Sequence, residues 1–386
     1  MQRIRHWVFL LLLGWFVMVP PQASAAETRI KPPGVAAAET LSQVTGIAIS
    51  PLLGVGAVGA YHYFNTPSAR RPQLSWYAQP WFWAPALLIV GLCFLKDALG
   101  PAVPTALKKP FDVLEVFENK ISALIATGAI IPMTLDLFRA MTPETSARLA
   151  DAGLAAIDLS PFWAVLMIPI ALVAYGVVFV VSHAIHILIL ISPFATVDAL
   201  LKSLRAGLLA TVAGTAWISP TAGALWAGAI VLCCVPLAGW AFRLLVLGQV
   251  FAWDLVTFAR NRTCVGKGLL RAFLARPVAG VPRRTFGTIH RDAAGNLMLT
   301  YRPWLLGRAR TLSLPAARHA IGRGYLYSEL LVTDGEDATD ILDFPPRYVG
   351  HESALAEALG LSEIRDVGLR AVFAWIRRTL GGGKPA

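Results

Sequence analysis

Long apolar runs separated by short polar connections fill the first two thirds of the chain. They cover Leu41–Phe64, Trp76–Leu95, Ile121–Phe138, Pro161–Ile191, Ala206–Trp217 and Thr221–Phe258. A helix that crosses a bilayer needs about 20 consecutive apolar residues. Pro161–Ile191 is long enough to cross with tilt, and Ala206–Trp217 is too short to cross alone. Thr221–Phe258 exceeds one simple span and is interrupted by Arg243 and Asp254. The pattern predicts an all-α membrane bundle of about five or six spans over residues 41–258, with broken or re-entrant helices.

After residue 284 the period shortens. "TFGTIHRD", "NLMLTYRPWLLG", "ARTLSLP", "GYLYSELLVT" and "TDILDFP" read as strands, with turns at "DAAGN" and "TDGEDA", and "ESALAEALGL" reads as a helix. This predicts a small α+β domain over 285–386, about five strands closed by a helix, resembling a pleckstrin-homology-like module. Its last helix, "IRDVGLRAVFAWIRRTLGGG", is amphipathic. Leu369, Val372, Phe373, Ile376 and Leu380 share one face, with Arg370, Arg377 and Arg378 away from it. Such a helix either lies on anionic lipid head groups or packs on its own domain.

Composition agrees with a membrane location. The chain is 56% hydrophobic and only 15% charged, against about 25% charged in soluble domains. The first residues, "MQRIRHWVFLLLLGWFVMVPPQASAAET", have a basic start, an apolar stretch and Ala23-Ser24-Ala25. They read as a secretory signal peptide over 1–25, either cleaved or kept as an anchor, followed by an exported linker over 26–40.

Charge sets the expected orientation. Seven basic residues and no acidic one lie between Ala259 and His290. That basic juxtamembrane linker, 259–284, predicts a cytoplasmic C-terminal domain and a periplasmic mature N-terminus in a bacterial inner membrane. The last third, from Ala259, holds 19 Lys/Arg and 11 Asp/Glu, so most of the net +11 lies there. The expected partners are the lipid bilayer, its anionic head groups and a protein bound through the tail, with no nucleic acid.

The chemistry centres on breaks in the apolar runs. In "GIAISPLLGVGAVGA", Ser50-Pro51 falls inside one run among four glycines, and Ser-Pro recurs at Ser160-Pro161, Ser192-Pro193 and Ser219-Pro220. Serine is a favoured helix cap and proline a favoured first helical residue, so each pair predicts a helix start. Broken backbone at membrane depth survives only where protein or a water-filled cavity satisfies it. Ser50, Pro51, Ser192 and Pro193 are therefore candidate site residues, with close helix packing as the alternative.

Asp112, Glu115, Glu118 and Asn119 share a stripe on one predicted helix. This is either an ion or proton relay or a solvated interfacial face. His183 and His186 stand at i and i+3 on one face, as a titrating or ligating pair or as hydrogen-bonded packing histidines. "PFDVLEVFENKISALIATGAI" from Pro110 and "PFATVDALLKSLRAGLLATVAG" from Pro193 hint at a two-repeat architecture. Cys93, Cys233, Cys234 and Cys264 form no disulfide or zinc pattern. There is no G-x-S-x-G, Walker A or H-E-x-x-H signature, so neither an enzyme, a metal nor a cofactor is expected.

The stretch "SPLLGV", "LSWYAQPWFWAPALLIVGLCFLKDALG" and "FDVLEVFENKISALIA", residues 50–130, resembles an uncharacterised family of bacterial polytopic membrane proteins. Lys96-Asp97 would hold that family's acidic/basic pair. The resemblance implies a membrane bundle and no particular activity. The functional expectation is a transporter or channel for a small solute or ion. The alternative is a non-transporting scaffold or sensor whose tail binds a protein or a lipid head group.

Overall fold

The structure is a computed structural model. It describes residues 33–99, 120–136, 160–191, 195–259, 265, 269–334, 337–368 and 370. The signal peptide, Asp112, Glu115, Glu118, Asn119, Ser192, Pro193, Arg377 and Arg378 lie outside the described residues, as does the start of each repeat-like segment.

The first apolar run is two helices. α1, Pro33–Ile49, ends where Ser50 leaves helical geometry (φ −141°, ψ 89°), and α2, Pro51–Asn65, begins with proline in its first turn. Proline locks its own φ and pushes the residue before it out of the helix. Then come α3, Pro80–Leu99, α4 over 120–136, α5, Ser160–Ile191, α6, Ala195–Ile218, and α7, Pro220–Val256. Ser219 caps α7 as its sequence predicts, its Oγ accepting from the Ala222 amide at 3.1 Å.

The bundle of five or six spans does not form. Among the described residues only two helices are long and apolar enough to cross a membrane, Val165–Ile189 within α5 and Pro220–Val256, which is α7. The reasons are local. Ser50-Pro51 cuts the first run into pieces of 17 and 15 residues. Within α3 the described apolar segment is Pro80–Cys93. Ala206–Trp217 is no separate re-entrant piece but the second half of α6, whose first half carries Asp198, Lys202 and Arg205.

α5 and α7 pack along each other and enclose α1 with α6. The core around the break is built from Ile47, Ala48 and Ile49 of α1, Val55 of α2, Ile130 of α4, Tyr175 and Val178 of α5, and Ile230 of α7. Two glycines permit close approach. A Cβ on Gly59 would sit 2.1 Å from the Tyr77 carbonyl oxygen, where α2 crosses the turn Trp76–Ala78. A Cβ on Gly248 of α7 would sit 2.5 Å from the Ile187 side chain of α5.

The C-terminal domain is also corrected. It is one eight-stranded mixed sheet, not a five-strand pleckstrin-homology-like module. The strands are β1 Leu270–Leu274, β2 Phe286–Arg291, β3 Leu297–Tyr301, β4 Arg310–Ser313, β5 Arg318–Arg323, β6 Ser328–Asp334, β7 Asp337–Phe344 and β8 Ile364–Asp366. Their order is β4-β3-β2-β1-β7-β6-β5-β8, antiparallel except for the β5–β8 pair. β1 comes from the stretch read as a basic linker. β8 comes from the stretch read as the start of the last helix.

One sheet face carries Ala272, Leu274, Leu299, Ile321, Leu330, Leu342 and Phe344. It packs on Leu355 and Leu359 in and just beyond α8, Glu352–Ala358. The opposite face receives the C-terminal part of α7, with Phe251 against Phe273 and Tyr327 at centroid distances of 6.1 and 5.8 Å.

The glycine contact yields a paired expectation. Gly248→Ala should lower the Tm of detergent-solubilised protein by overpacking Ile187, a cost of about 1–3 kcal/mol. Gly207→Ala, in α6 with nothing within 4 Å of the added Cβ, should raise it slightly, by ~0.5–1 kcal/mol of helix propensity. Equal effects of the two substitutions would contradict the α5–α7 packing.

Candidate functional site

Two junctions gather polar side chains. The first is the break itself. A helix end leaves carbonyls without intrahelical partners. At Ile49, the last residue of α1, that carbonyl accepts from three donors: Ser182 Oγ of α5 at 2.9 Å, and Arg205 Nε and Nη2 of α6 at 2.8 and 2.6 Å. Hydrogen bonds from a charged donor are the strong kind. Three helices therefore converge on one oxygen, and protein groups satisfy the break.

His183 follows Ser182 and is 2% exposed. Its ring stacks on Phe179 (5.4 Å) and lies 5.9 Å from His186. Phe179 in turn stacks on Tyr175, whose hydroxyl donates to the Ala123 carbonyl of α4 at 3.0 Å. Tyr175, Phe179, His183 and His186 form one ladder along α5. Neither ring nitrogen of His183 has a hydrogen-bond partner among the described residues. Among the described residues, no group of three His, Cys, Asp or Glu could hold a metal ion.

Of the sequence candidates, Ser50, Pro51, His183 and His186 lie in this bundle. Ser50 is half-buried, Pro51 buried, and the Ser50 side chain makes no capping bond. Arg370 is the one residue of the basic C-terminal set that is described, and it is half-buried.

The second junction was not predicted as a site. Asp254, near the end of α7, has a fully buried carboxylate. It takes Arg347 Nε on Oδ2 at 2.8 Å, Arg347 Nη2 on Oδ1 at 2.5 Å, and the Arg347 amide on Oδ2 at 3.2 Å. Arg347 lies in the turn Pro346–Tyr348, just after β7. This is the two-pronged geometry that guanidinium and carboxylate favour, and it fixes the end of α7 to the sheet domain.

Beside it, Glu329 of β6 faces Asp343 of β7 directly, and Asp343 faces Phe273 of β1. Facing residues share one side of the sheet, so two carboxyls stand together there, and like charges directly opposed are destabilising. Burial, then Glu329 and Asp340, push the Asp343 carboxyl up to about 7, against the opposing pull of Arg283 and Arg284. Glu329 is pushed up by burial and Asp340. Burial and the neighbouring Arg283 push Arg284 down. Asp343 can therefore exchange a proton near neutral pH.

A third contact, also absent from the sequence reading, holds α4. Asp136 Oδ2 accepts from Ser75 Oγ at 2.7 Å and Tyr77 Oη at 3.1 Å. Burial and Asp136 push the Tyr77 phenol up, so it stays a donor.

No family model matches this sequence, and no curated protein and no solved structure matches it either.

The carboxyl pair gives a pH dependence. Between pH ~4, where a free aspartate titrates, and about 7, folded Asp343 keeps a proton that the unfolded chain has released. Stability from this group is full below the unfolded value and is lost as pH rises toward 7. Thermal unfolding should therefore show Tm falling between pH ~4 and about 7, and Asp343→Asn should flatten that fall. An unchanged slope in the variant would contradict the assignment.

Proposed function

We propose that the protein is a non-transporting membrane scaffold. α5 and α7 anchor it in a bilayer and hold an eight-stranded domain in one orientation at the surface. The Asp254–Arg347 pair carries this reading, because it joins a candidate span to the sheet through a buried, two-pronged contact. Of the spanning windows in α5 and α7, 28 and 22% is buried inside the protein. A soluble core helix is mostly buried, so such apolar and uncovered helices suit lipid. Leu225 and Leu232 of α7 are each 73% exposed.

α7 has 37 residues, about 55 Å at 1.5 Å per residue, against a hydrocarbon core of about 30 Å. Its first 23 residues, Pro220–Phe242, carry no charge, and Arg243 and Asp254 follow. The uncharged part suits the membrane, and the remainder suits the sheet. The basic stretch after Ala259 supports a cytoplasmic side for the sheet, in a bacterial inner membrane.

A solute path through the break is the weaker reading, since Ser182 and Arg205 occupy the Ile49 carbonyl that water would otherwise solvate. Ser50→Cys and His183→Cys, each in a cysteine-free background, test the choice. Both thiols should resist membrane-impermeant reagents applied from either face of reconstituted vesicles. Labelling of either position would indicate water at the break and overturn the scaffold reading in favour of a transport path.

A further inference from the structure

The sheet domain meets α7 at several levels. Asp254 and Phe251 hold Arg347, Phe273 and Tyr327 at the far end. Fifteen residues nearer the N-terminus, about 22 Å along the axis, the Trp304 ring lies 3.7 Å from where a Cβ on Gly239 would be, and it packs on Phe242 at 4.9 Å. Phe242 is the last residue before the first charge of α7. The turn at Pro303–Leu305 therefore reaches α7 where its uncharged stretch ends.

That turn is built to project apolar side chains. Trp304 and Leu305 both adopt left-handed backbone, φ 56° and 62°, which bulky residues rarely do and which persists only where the surroundings impose it. The Leu305 and Gly307 amides donate back to Arg302 and Pro303, closing the turn. Trp304 is 54% exposed, Leu305 43% and Leu306 92%. The sequence is "RPWLLGRAR", with Arg302, Arg308 and Arg310 exposed and no acidic residue.

We propose that the Arg302–Arg310 loop is a membrane-docking element. It seats Trp304, Leu305 and Leu306 in the bilayer interface, with its arginines on anionic lipid phosphates. This rests on the reading of α7 as a span. Tryptophan favours the interface between hydrocarbon and water, basic residues are drawn to anionic leaflets, and together they strengthen surface binding. The loop gives the sheet domain a second hold on the membrane besides α7. Its position makes the bilayer the occupant, because it abuts the end of the candidate span.

The test uses the full chain without its native cysteines, reconstituted in phosphatidylcholine vesicles with or without phosphatidylglycerol. An environment-sensitive fluorophore is placed at Leu306→Cys, with Leu305→Cys as a second position. Leu232→Cys in α7 and Ala294→Cys in the exposed β2–β3 turn are references, and every variant must keep the parent Tm. The label at 306 should lose most of its fluorescence to shallow spin-labelled lipid and shift to the blue relative to position 294, more so with phosphatidylglycerol.

If position 306 behaves like 294 while 232 is quenched by deep spin-labelled lipid, the docking proposal falls and the scaffold reading stands. If 232 is not quenched, the span reading falls and takes the docking proposal with it. Shielding of 306 from both lipid and aqueous quenchers would mean a protein covers the loop and would overturn the lipid assignment. Equal insertion with and without phosphatidylglycerol would overturn the role of the arginines.

Discussion

A buried carboxylate can persist only if something pairs with it. Asp254 stands near the end of a 37-residue helix, its side chain fully buried, and Arg347 meets it with two guanidinium nitrogens and a backbone amide. Removing one partner of such a pair typically costs about 3–5 kcal/mol, because the other charge is left buried. The arrangement of the two halves depends on that contact. With Asp254 fixed, Phe251 falls on the outer sheet face and Trp304 reaches Gly239 and Phe242. The sheet is thus carried by α7 rather than suspended from a linker.

The same economy of unpaired groups shapes the bundle. Ser50-Pro51 frees the end of α1, and Ser182 and Arg205 take up the exposed Ile49 carbonyl. Asp136 holds Ser75 and Tyr77, and α2 passes over that turn at Gly59. The exception is the Glu329–Asp343 pair, where two carboxyls face each other and burial pushes both up. Any change of charge there is felt at the face on which α7 rests.

Local signals were legible in the sequence, and long-range pairing was not. The Ser-Pro dipeptides announced helix starts at Pro51 and Pro220 because proline acts locally, on its own φ and on the residue before it, and at Ser219 the side-chain cap adds to this. Five of the strands, the Asp292–Asn296 turn and α8 followed from alternation and turn residues. β1 was hidden because Arg271 and the basic residues around it read as a linker, yet Leu270, Ala272 and Leu274 alternate toward the core. β5, Arg318–Arg323, fell between two predicted strands and was not read, and β8 was hidden in a helical pattern that overlaps it. The count of spans failed because apolar composition was read without helix length: α1 and α2 are each too short, and α6 carries its charges in its first half. Asp254 did stand out as an ionisable residue in an apolar run, a signal that asks for a partner. Nothing in a spacing of 93 positions could name Arg347.

The central claim is that sheet and span form one rigid unit. Spin labels at Leu225 on the exposed face of α7 and at Ala294 in the β2–β3 turn, in the full chain in lipid nanodiscs, report it most directly. Pulsed dipolar spectroscopy should give one narrow distance distribution, broadened by Asp254→Asn. A broad distribution in the parent protein, unaltered by that substitution, would contradict the claim.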